Sequence, residues 1–175
     1  MPLTTIRNAG LATGVGVKVL QIIQTVKTDT YSASVAQGAI SGDVTGFTAT
    51  ITPSSSSNKV LVVISACIRA GELYEGPCLT LYEAGSISGF IGDASGSKKR
   101  VTATTTAGRN GRDQNSVNVT FLASPNTTNA VTYSVRLSHN DSNTSTVLMN
   151  ISSSNNNANY DSVGASSMTL MEIAG

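Results

Sequence analysis

The sequence predicts an all-β fold, a sandwich or barrel of about nine antiparallel strands. Short apolar runs of strand length, such as Val60–Ile64 and Val117–Phe121, are separated by stretches rich in Ser, Thr, Asn and Gly. No apolar stripe with the 3.6-residue period of a helix continues over a useful length, so the helix content should be very low. The length of 175 residues fits a single domain.

Charged side chains are scarce in this chain. They make up 12% of the residues, against roughly 25% in an ordinary soluble domain. A chain with so little surface charge is usually covered by copies of itself or by partners, which favours a structural, assembling protein over an enzyme. The net charge of +1 predicts no attraction to nucleic acid or to an anionic membrane. No apolar run approaches the roughly 20 residues of a membrane span.

The predicted organisation is a short N-terminal arm over residues 1–16, followed by a β-sandwich over residues 17–175. Two interpretations of the arm are open: an ordered or partner-bound segment, and a mobile tail. Val17–Lys27 forms a long first strand with apolar residues on both faces, so one face is available to another chain. Thr28–Gly42 is rich in Ser, Ala and Gly and predicts an irregular crossing.

The central strands come next. Phe47–Thr52 alternates apolar and polar residues, as a half-buried strand does. Pro53–Asn58 predicts a turn, because proline cannot continue a central ladder. Lys59–Arg69 is apolar on both faces and is predicted to be the most buried strand, Pro77 opens the next one, and Val101–Thr106 is a further β-branched strand. The remaining predicted strands cover residues 116–123, 131–138, 145–152 and 166–173.

The two cysteines and the single histidine make no metal or redox motif. The sequence places Cys67 and Cys78 in one hairpin, where a disulfide is possible, but two reduced, buried thiols are the favoured interpretation. A nucleophilic Cys67 is disfavoured, because a thiolate is costly in so apolar a strand. His139 is interpreted as a surface residue in a turn, since no second metal ligand accompanies it.

No catalytic residue, cofactor site or metal site is predicted from the sequence. Glu72 and Glu75 fall in a loop tip and Glu83 at a strand end, which does not make the paired carboxylates of a glycosidase. Glu172 lies among apolar residues of the last strand, which favours a paired carboxylate or a subunit seam over a catalytic one.

Three segments carry a family resemblance. Val19–Thr25 opens the first strand, Ile51–Val62 joins two central strands through the turn at Pro53, and Met168–Ile173 closes the last strand. Their order resembles a family of jelly-roll domains found in virion proteins of tailed phages, especially marine and cyanobacterial phages. The resemblance covers nearly the whole sandwich and implies a jelly-roll fold, a homotrimer similar to tumour-necrosis-factor-like knobs, and a virion structural role.

Within that family, the chain is predicted to be a capsid decoration, or cement, protein on the outer capsid surface. The sequence contains no coiled-coil heptad, collagen-like repeat or long shaft, and a cement protein needs only a knob and a short arm. The implied partners are other copies of the chain, and the major capsid protein or other virion proteins. The predicted trimer interface comprises Val19, Ile22, Ile23, Val62, Ile64, Leu170 and Ile173. The predicted contacts of the arm with the capsid are Pro2, Leu3, Ile6, Arg7 and Leu11.

The alternative is a tail-fibre tip or knob that binds a host receptor or surface polysaccharide. Tyr74 and Tyr160 could stack on sugars from the outward loops. Lys98–Arg100, with Arg109 and Arg112, is the only basic concentration, and it is either a contact for an acidic partner surface or anionic glycan or a solvated loop. The candidate binding loops cover residues 85–100, 107–115 and 155–161.

Overall fold

The computed structural model of the chain describes residues 18–71, 76–106, 113–152, 158–159 and 161–175. These residues form eleven β-strands and no helix. The strands are β1 Val19–Lys27, β2 Tyr31–Val35, β3 Asp43–Ile51, β4 Lys59–Ala70, β5 Pro77–Glu83, β6 Ser86–Ile87, β7 Ala103–Thr104, β8 Asn115–Ala123, β9 Val131–His139, β10 Ser145–Met149 and β11 Ser166–Ile173. In this part of the chain no helix is long and apolar enough to cross a membrane.

Six strands form the first sheet, which is built around β4. The hydrogen-bonded order is β1-β11-β4-β10-β2, and β8 also pairs with β4. Strand β4 is twelve residues long and pairs with β11 over its first half and with β10 at its end. Because a strand has two edges, β8, which pairs with Val60–Ile68, occupies the opposite edge. One part of this sheet therefore has the order β8-β4-β11-β1.

The second sheet has the order β3-β9-β5-β6, and β7 also pairs with β5. The long strands alternate between the two sheets along the chain, and the first strand is hydrogen-bonded to the last. This alternation is the jelly-roll arrangement of two antiparallel sheets. The all-β, jelly-roll fold class predicted from the sequence is confirmed.

The core lies between the two sheets and follows the two-residue period of the strands. In β4, Val60, Val62 and Ile64 are at most 1% exposed, whereas Leu61 and Val63 on the other face are half-buried. The second sheet contributes apolar side chains to the same cluster. These include Val44, Phe47, Ile51, Leu79, Leu81, Tyr133, Val135 and Leu137. The predicted turn at Pro53–Asn58 and the predicted opening of β5 at Pro77 are confirmed.

Two predictions about local structure are wrong, because strand pairing between residues far apart in the chain determines both features. The segment expected to be irregular contains β2, whose small side chains form a strand because β10 supplies a complete antiparallel partner. Cys67 and Cys78 do not share a hairpin, since β4 and β5 belong to opposite sheets. Both cysteines are free, as favoured from the sequence; Cys78 is buried, whereas Cys67 is only half-buried.

His139 is not the surface residue that the sequence predicted. It ends β9 with no exposed surface, and its Nε2 lies 2.8 Å from the carbonyl oxygen of Val35. The backbone N–H of Asp141 donates to its Nδ1 over 3.2 Å. Because Nδ1 accepts from Asp141, Nε2 donates to Val35, and the ring is a structural link between β9 and β2.

Candidate functional site

The first candidates for a functional site are the acidic and metal-ligating side chains. No group of three or more His, Cys, Asp or Glu side chains among them is placed to hold a metal ion. Glu83 accepts a hydrogen bond from the Tyr133 hydroxyl over 3.2 Å, and burial together with this carboxylate raises the pKa of the phenol. Glu72 and Glu75 lie outside the described residues.

Glu172 is the centre of a buried polar cluster. The residue is 1% exposed, and its Oε1 accepts hydrogen bonds from the Ser54 N–H at 2.6 Å, the Ser54 hydroxyl at 2.8 Å and Asn58 Nδ2 at 2.6 Å. Its Oε2 accepts a bond from Gln21 Nε2 at 2.6 Å. The carboxylate thus has four donors, and none of the four is a cation.

The protonation equilibrium of Glu172 reflects this arrangement. Burial acts to raise the pKa of the carboxyl, but the hydrogen bonds from Asn58, Gln21 and Ser54 outweigh burial and lower it from 4.5 to about 2. The group is therefore a permanent anion near neutral pH. A general acid or base needs a pKa near the working pH, so Glu172 is unsuited to proton transfer.

The Glu172 cluster (Glu172, Gln21, Ser54 and Asn58) joins the three segments that carry the family resemblance. Gln21 belongs to β1, Ser54 and Asn58 to the turn after β3, and Glu172 to β11. Side-chain hydrogen bonds, and not backbone pairing between strands, thus connect this turn to the first and the last strand. The residues that make the resemblance recognisable thus serve the fold in this chain.

A second buried hub lies at the far end of β1. Asn150 has no exposed surface and a positive φ of 62°, which asparagine tolerates better than most residues. Its Nδ2 donates to the carbonyls of Lys27 and Asp29 at 2.9 and 3.1 Å, and its Oδ1 accepts from the Ser166 hydroxyl at 2.6 Å. All three polar groups on the side chain are used, so this hub is also structural.

The outer face of β8-β4-β11-β1 is the most unusual surface of the described residues. The strand registers place one apolar row straight across the four strands: Ile22, Met171, Leu61 and Leu122. Ile22 is 59% exposed and Leu122 is 51% exposed, because no other described residue covers them. Met171 and Leu61, inside the sheet, are half-buried. We call this set the apolar row.

Two further rows on this face are also uncharged, whereas the row on the opposite side of the apolar row contains Ile173 and Lys59. The next row consists of Gln24, Thr169, Val63 and Thr120, and the one after it of Val26, Ser167, Ser65 and Asn118. With strands about 4.8 Å apart and rows about 6.8 Å apart, the three rows cover about 400 Å². The exposed apolar row along one side of this uncharged area makes the face a candidate interaction surface.

The structure corrects part of the predicted trimer interface. Val62, Ile64 and Leu170 are at most 1% exposed and pack in the protomer's own core, so they cannot touch another copy. Ile23 also packs against that core. Strands β4 and β11 carry apolar residues on both faces, and the prediction selected Val62, Ile64 and Leu170, which lie on the inward face.

The other predicted interface residues are accessible. Val19 is 50% exposed and Ile22 is 59% exposed, and Ile173 is half-buried. The outward residues Leu61, Met171 and Leu122 were missed. Reading each strand with a two-residue period from its most buried position finds them, because they alternate with the core residues.

Several predicted contact residues lie outside the described part of the chain. These are the arm residues Pro2, Leu3, Ile6, Arg7 and Leu11, both tyrosines proposed to stack on sugars, Arg109, Arg112 and the run 155–157. Of the basic run, Lys99 donates to the carbonyls of Ala39 and His139, and burial lowers its pKa. Arg100 donates to the carbonyl of Gly92. These two side chains hold a loop, while Lys98 is exposed.

No protein-family model and no curated protein matches this chain. Among solved structures, it is similar to VP2 of infectious bursal disease virus, as the D431N mutant in derived T=1 particles, with 14% identity over 98% of this chain and a TM-score of 0.42. A VP2 subviral particle of that virus gives 12% identity over 99% of this chain and a TM-score of 0.42. The structure of its Gx strain gives 11% identity over 99% of this chain and a TM-score of 0.39. The chain spans 40%, 45% and 43% of those chains, less than half of each, and the function proposed below rests on its own residues.

Proposed function

We propose that this chain is a structural protein of a virion, and specifically a capsid decoration protein whose trimers bind and stabilise the assembled shell. The observation that carries the proposal is the exposed apolar row on the outer face of the first sheet, beside two uncharged rows. The family resemblance supports the virion role, and the three segments behind it meet at the Glu172 cluster.

The proposed mechanism is surface coverage. Full burial of a leucine or isoleucine side chain is worth about 1.5–3 kcal/mol, so covering the half-exposed Ile22 and Leu122 contributes about 1 kcal/mol each. The face of about 400 Å² is about half of the 800 Å² that one partner gives to a standard interface. A stable assembly therefore requires further contacts, which the N-terminal arm on neighbouring coat proteins would supply.

The effect on the particle follows from mass action. A protein that binds the assembled shell and not the dissociated coat protein lowers the free energy of the assembled state. The stabilisation grows with the concentration of the decoration protein above its dissociation constant, about 2.7 kcal/mol for each site at a hundredfold excess. No chemical step is needed, which agrees with the engaged state of Glu172 and Glu83.

Binding of the purified chain to capsids that lack it tests this function. The expected result is saturable binding, extra density on the shell in electron micrographs, and disassembly of the decorated shell at a higher temperature. A chain that instead locates to the tail and binds host polysaccharide supports the tail-fibre tip and overturns the decoration role. A chain that binds no part of the virion overturns the virion role altogether.

The contribution of the arm has its own test. Deleting residues 2–15 should weaken binding to the shell, and replacing Leu3, Ile6 and Leu11 by serine should weaken it to a similar extent, because both remove the apolar contacts. Replacing Thr4 and Thr5 by serine keeps the arm and serves as the matched control. Unchanged binding after the deletion would show that the arm makes no capsid contact.

A further inference from the structure

The two outer strands of β8-β4-β11-β1 are unusually open edges. Strands β1 and β8 are each nine residues long. Among the described residues, β1 pairs only with β11, and β8 pairs only with β4. Each therefore has one edge whose backbone N–H and C=O groups have no strand partner. Such an edge is a template for pairing with another chain.

From Ile22 onward in β1 and along β8, the two edges lack the exposed charges and prolines that protect the edges of monomeric proteins; the register irregularity of β1 lies before this stretch, between Val19 and Gln21. Natural edge strands are kept short, or bear charged side chains or proline. Strand β8 has no charged residue and no proline, and the one charged residue of β1 is Lys27. Lys27 is 2% exposed, and its ammonium group forms an ion pair with Asp29 at 2.7 Å. Its charge therefore does not project from the edge to oppose pairing with another strand. The Thr25 hydroxyl of β1 donates to the carbonyl of Thr48 in β3 over 2.8 Å, but no strand of the described residues is paired with the outer backbone edge of β1 or of β8.

The two edges are complementary to each other in direction. Each of the three pairings from β1 to β11, from β11 to β4 and from β4 to β8 is antiparallel. Three reversals make β1 antiparallel to β8. Placing β8 of a second copy beside β1 of the first therefore continues the sheet with the same antiparallel pattern.

The side chains on the two edges also match in register. When the apolar row is continued across the junction, Ile22 of one copy lies opposite Leu122 of the next. The same register sets Gln24 opposite Thr120 on the outer face and Ile23 opposite Phe121 on the inner face. In these three pairs apolar residues meet apolar residues and polar residues meet polar ones. The same register sets Val26 opposite Asn118 and Thr25 opposite Val119.

We propose that the β1 edge of one copy pairs with the β8 edge of a second copy of this chain, which extends the first sheet and continues the apolar row between copies. The proposal deepens the proposed function, because it names the self-association surface of the decoration protein. The contact uses two different patches, so it is heterologous and closes into a ring when the rotation between copies permits. A ring removes every open β1 and β8 edge.

Sedimentation of the purified full-length chain over a range of concentrations measures the association against the protomer mass of 17.9 kDa. Ile22→Lys and Leu122→Lys each place a charge on the junction at a residue about half exposed in the protomer, so both variants should fold. Each should raise the dissociation constant at least about tenfold. Ile87→Lys, at an isoleucine of similar exposure on the second sheet, is the matched control and should associate like the unchanged chain.

A charge pair separates edge pairing from other packing. The double variant Ile22→Lys with Leu122→Glu puts opposite charges across every junction, so association should recover. Hydrogen exchange of the unchanged chain should slow in β1 and β8 on association and not in β6. Thermal unfolding of each variant shows whether it is folded.

The proposal is overturned if the unchanged chain stays at the protomer mass, if Ile87→Lys dissociates it equally, or if the double variant remains dissociated. It is also overturned if exchange in β1 and β8 is unaffected by association. These outcomes are separate from the decoration role. A chain that decorates the shell as single protomers would refute the edge pairing alone, and a ring that binds no virion component would refute the function alone.

Discussion

Replacing Glu172 by glutamine tests whether its carboxylate holds the turn after β3 to the first and last strands. The substitution keeps the shape of the side chain and removes its charge. The new amide then faces Gln21 Nε2, which in the native chain donates to Oε2 over 2.6 Å, so two donors meet. The bonds from Ser54 and Asn58 to Oε1 lose the strengthening that an ionised acceptor provides.

The magnitude follows from the pKa of Glu172, which falls from 4.5 to about 2 on folding. At about 1.4 kcal/mol for each pKa unit, this corresponds to at most about 3.5 kcal/mol of stability. Gln21 is half-buried, and solvent screening on that side reduces the value to about 1–2 kcal/mol. Because the folded pKa lies below the unfolded one, the contribution is complete above pH 4.5 and is lost as the pH falls towards 2.

Urea unfolding followed by circular dichroism at about pH 7 and about pH 3 measures this dependence. Glu172→Gln should lower the free energy of unfolding by about 1–2 kcal/mol near pH 7 and by less than half of that near pH 3. Asp93→Asn removes the same charge from an exposed loop residue and should change stability by at most about 0.5 kcal/mol at either pH. An equal loss at both pH values, or no loss at pH 7, would refute the reasoning.

Three further predictions concern stability and the thiols. Asn150→Asp should lower the free energy of unfolding, measured in urea, by about 2–4 kcal/mol, because a carboxylate would face two carbonyl oxygens. The control Asn126→Asp, at an exposed asparagine of similar positive φ, should lower it by at most about 0.5 kcal/mol. Equal losses in the two variants would contradict this prediction. Leu170→Ala should lower the free energy of unfolding by about 2–5 kcal/mol, because it leaves a cavity in the core. Ile22→Ala should change the free energy of unfolding of the protomer by about 0.5 kcal/mol or less. A larger loss for Ile22→Ala than for Leu170→Ala would show that the inward face was misassigned. A reductant should leave the melting temperature unchanged, since both cysteines are free, and thiol titration should show Cys67 reacting before Cys78 in the native chain.

Much of the strand content follows from local pattern. Alternation predicted the strand that became β3, apolar runs of strand length predicted β1 and β4, and the proline residues marked the turn after β3 and the start of β5. These features depend on neighbours in the chain, so the local apolar pattern and the missing N–H of proline were enough to find them. Segment Tyr31–Val35 also alternates, with Ser32 and Ser34 exposed, but most of its residues are small and the prediction took it for part of an irregular crossing; in the structure it pairs with β10 along its whole length.

The candidate site depended more on tertiary contacts. The sequence indicated that the first strand and the central strand Lys59–Arg69 carry apolar residues on both faces, and the scarcity of charge predicted self-association. The sequence did not show that Val62 and Leu170 face the protomer's core while Leu61 and Met171 face outward. That choice is set by which face meets the second sheet, and a strand with two apolar faces gives no local signal for it.

The sequence by itself therefore determined that this chain forms β-strands with very little surface charge, because strand period and composition are local properties. The tertiary structure alone decided that His139 is buried against β2, that Glu172 gathers donors from β1 and the turn after β3, and that β1 and β8 end the sheet as antiparallel edges. Each of these joins residues far apart in the chain. Their contacts exist only once the two sheets have packed, which no pattern of neighbouring residues specifies.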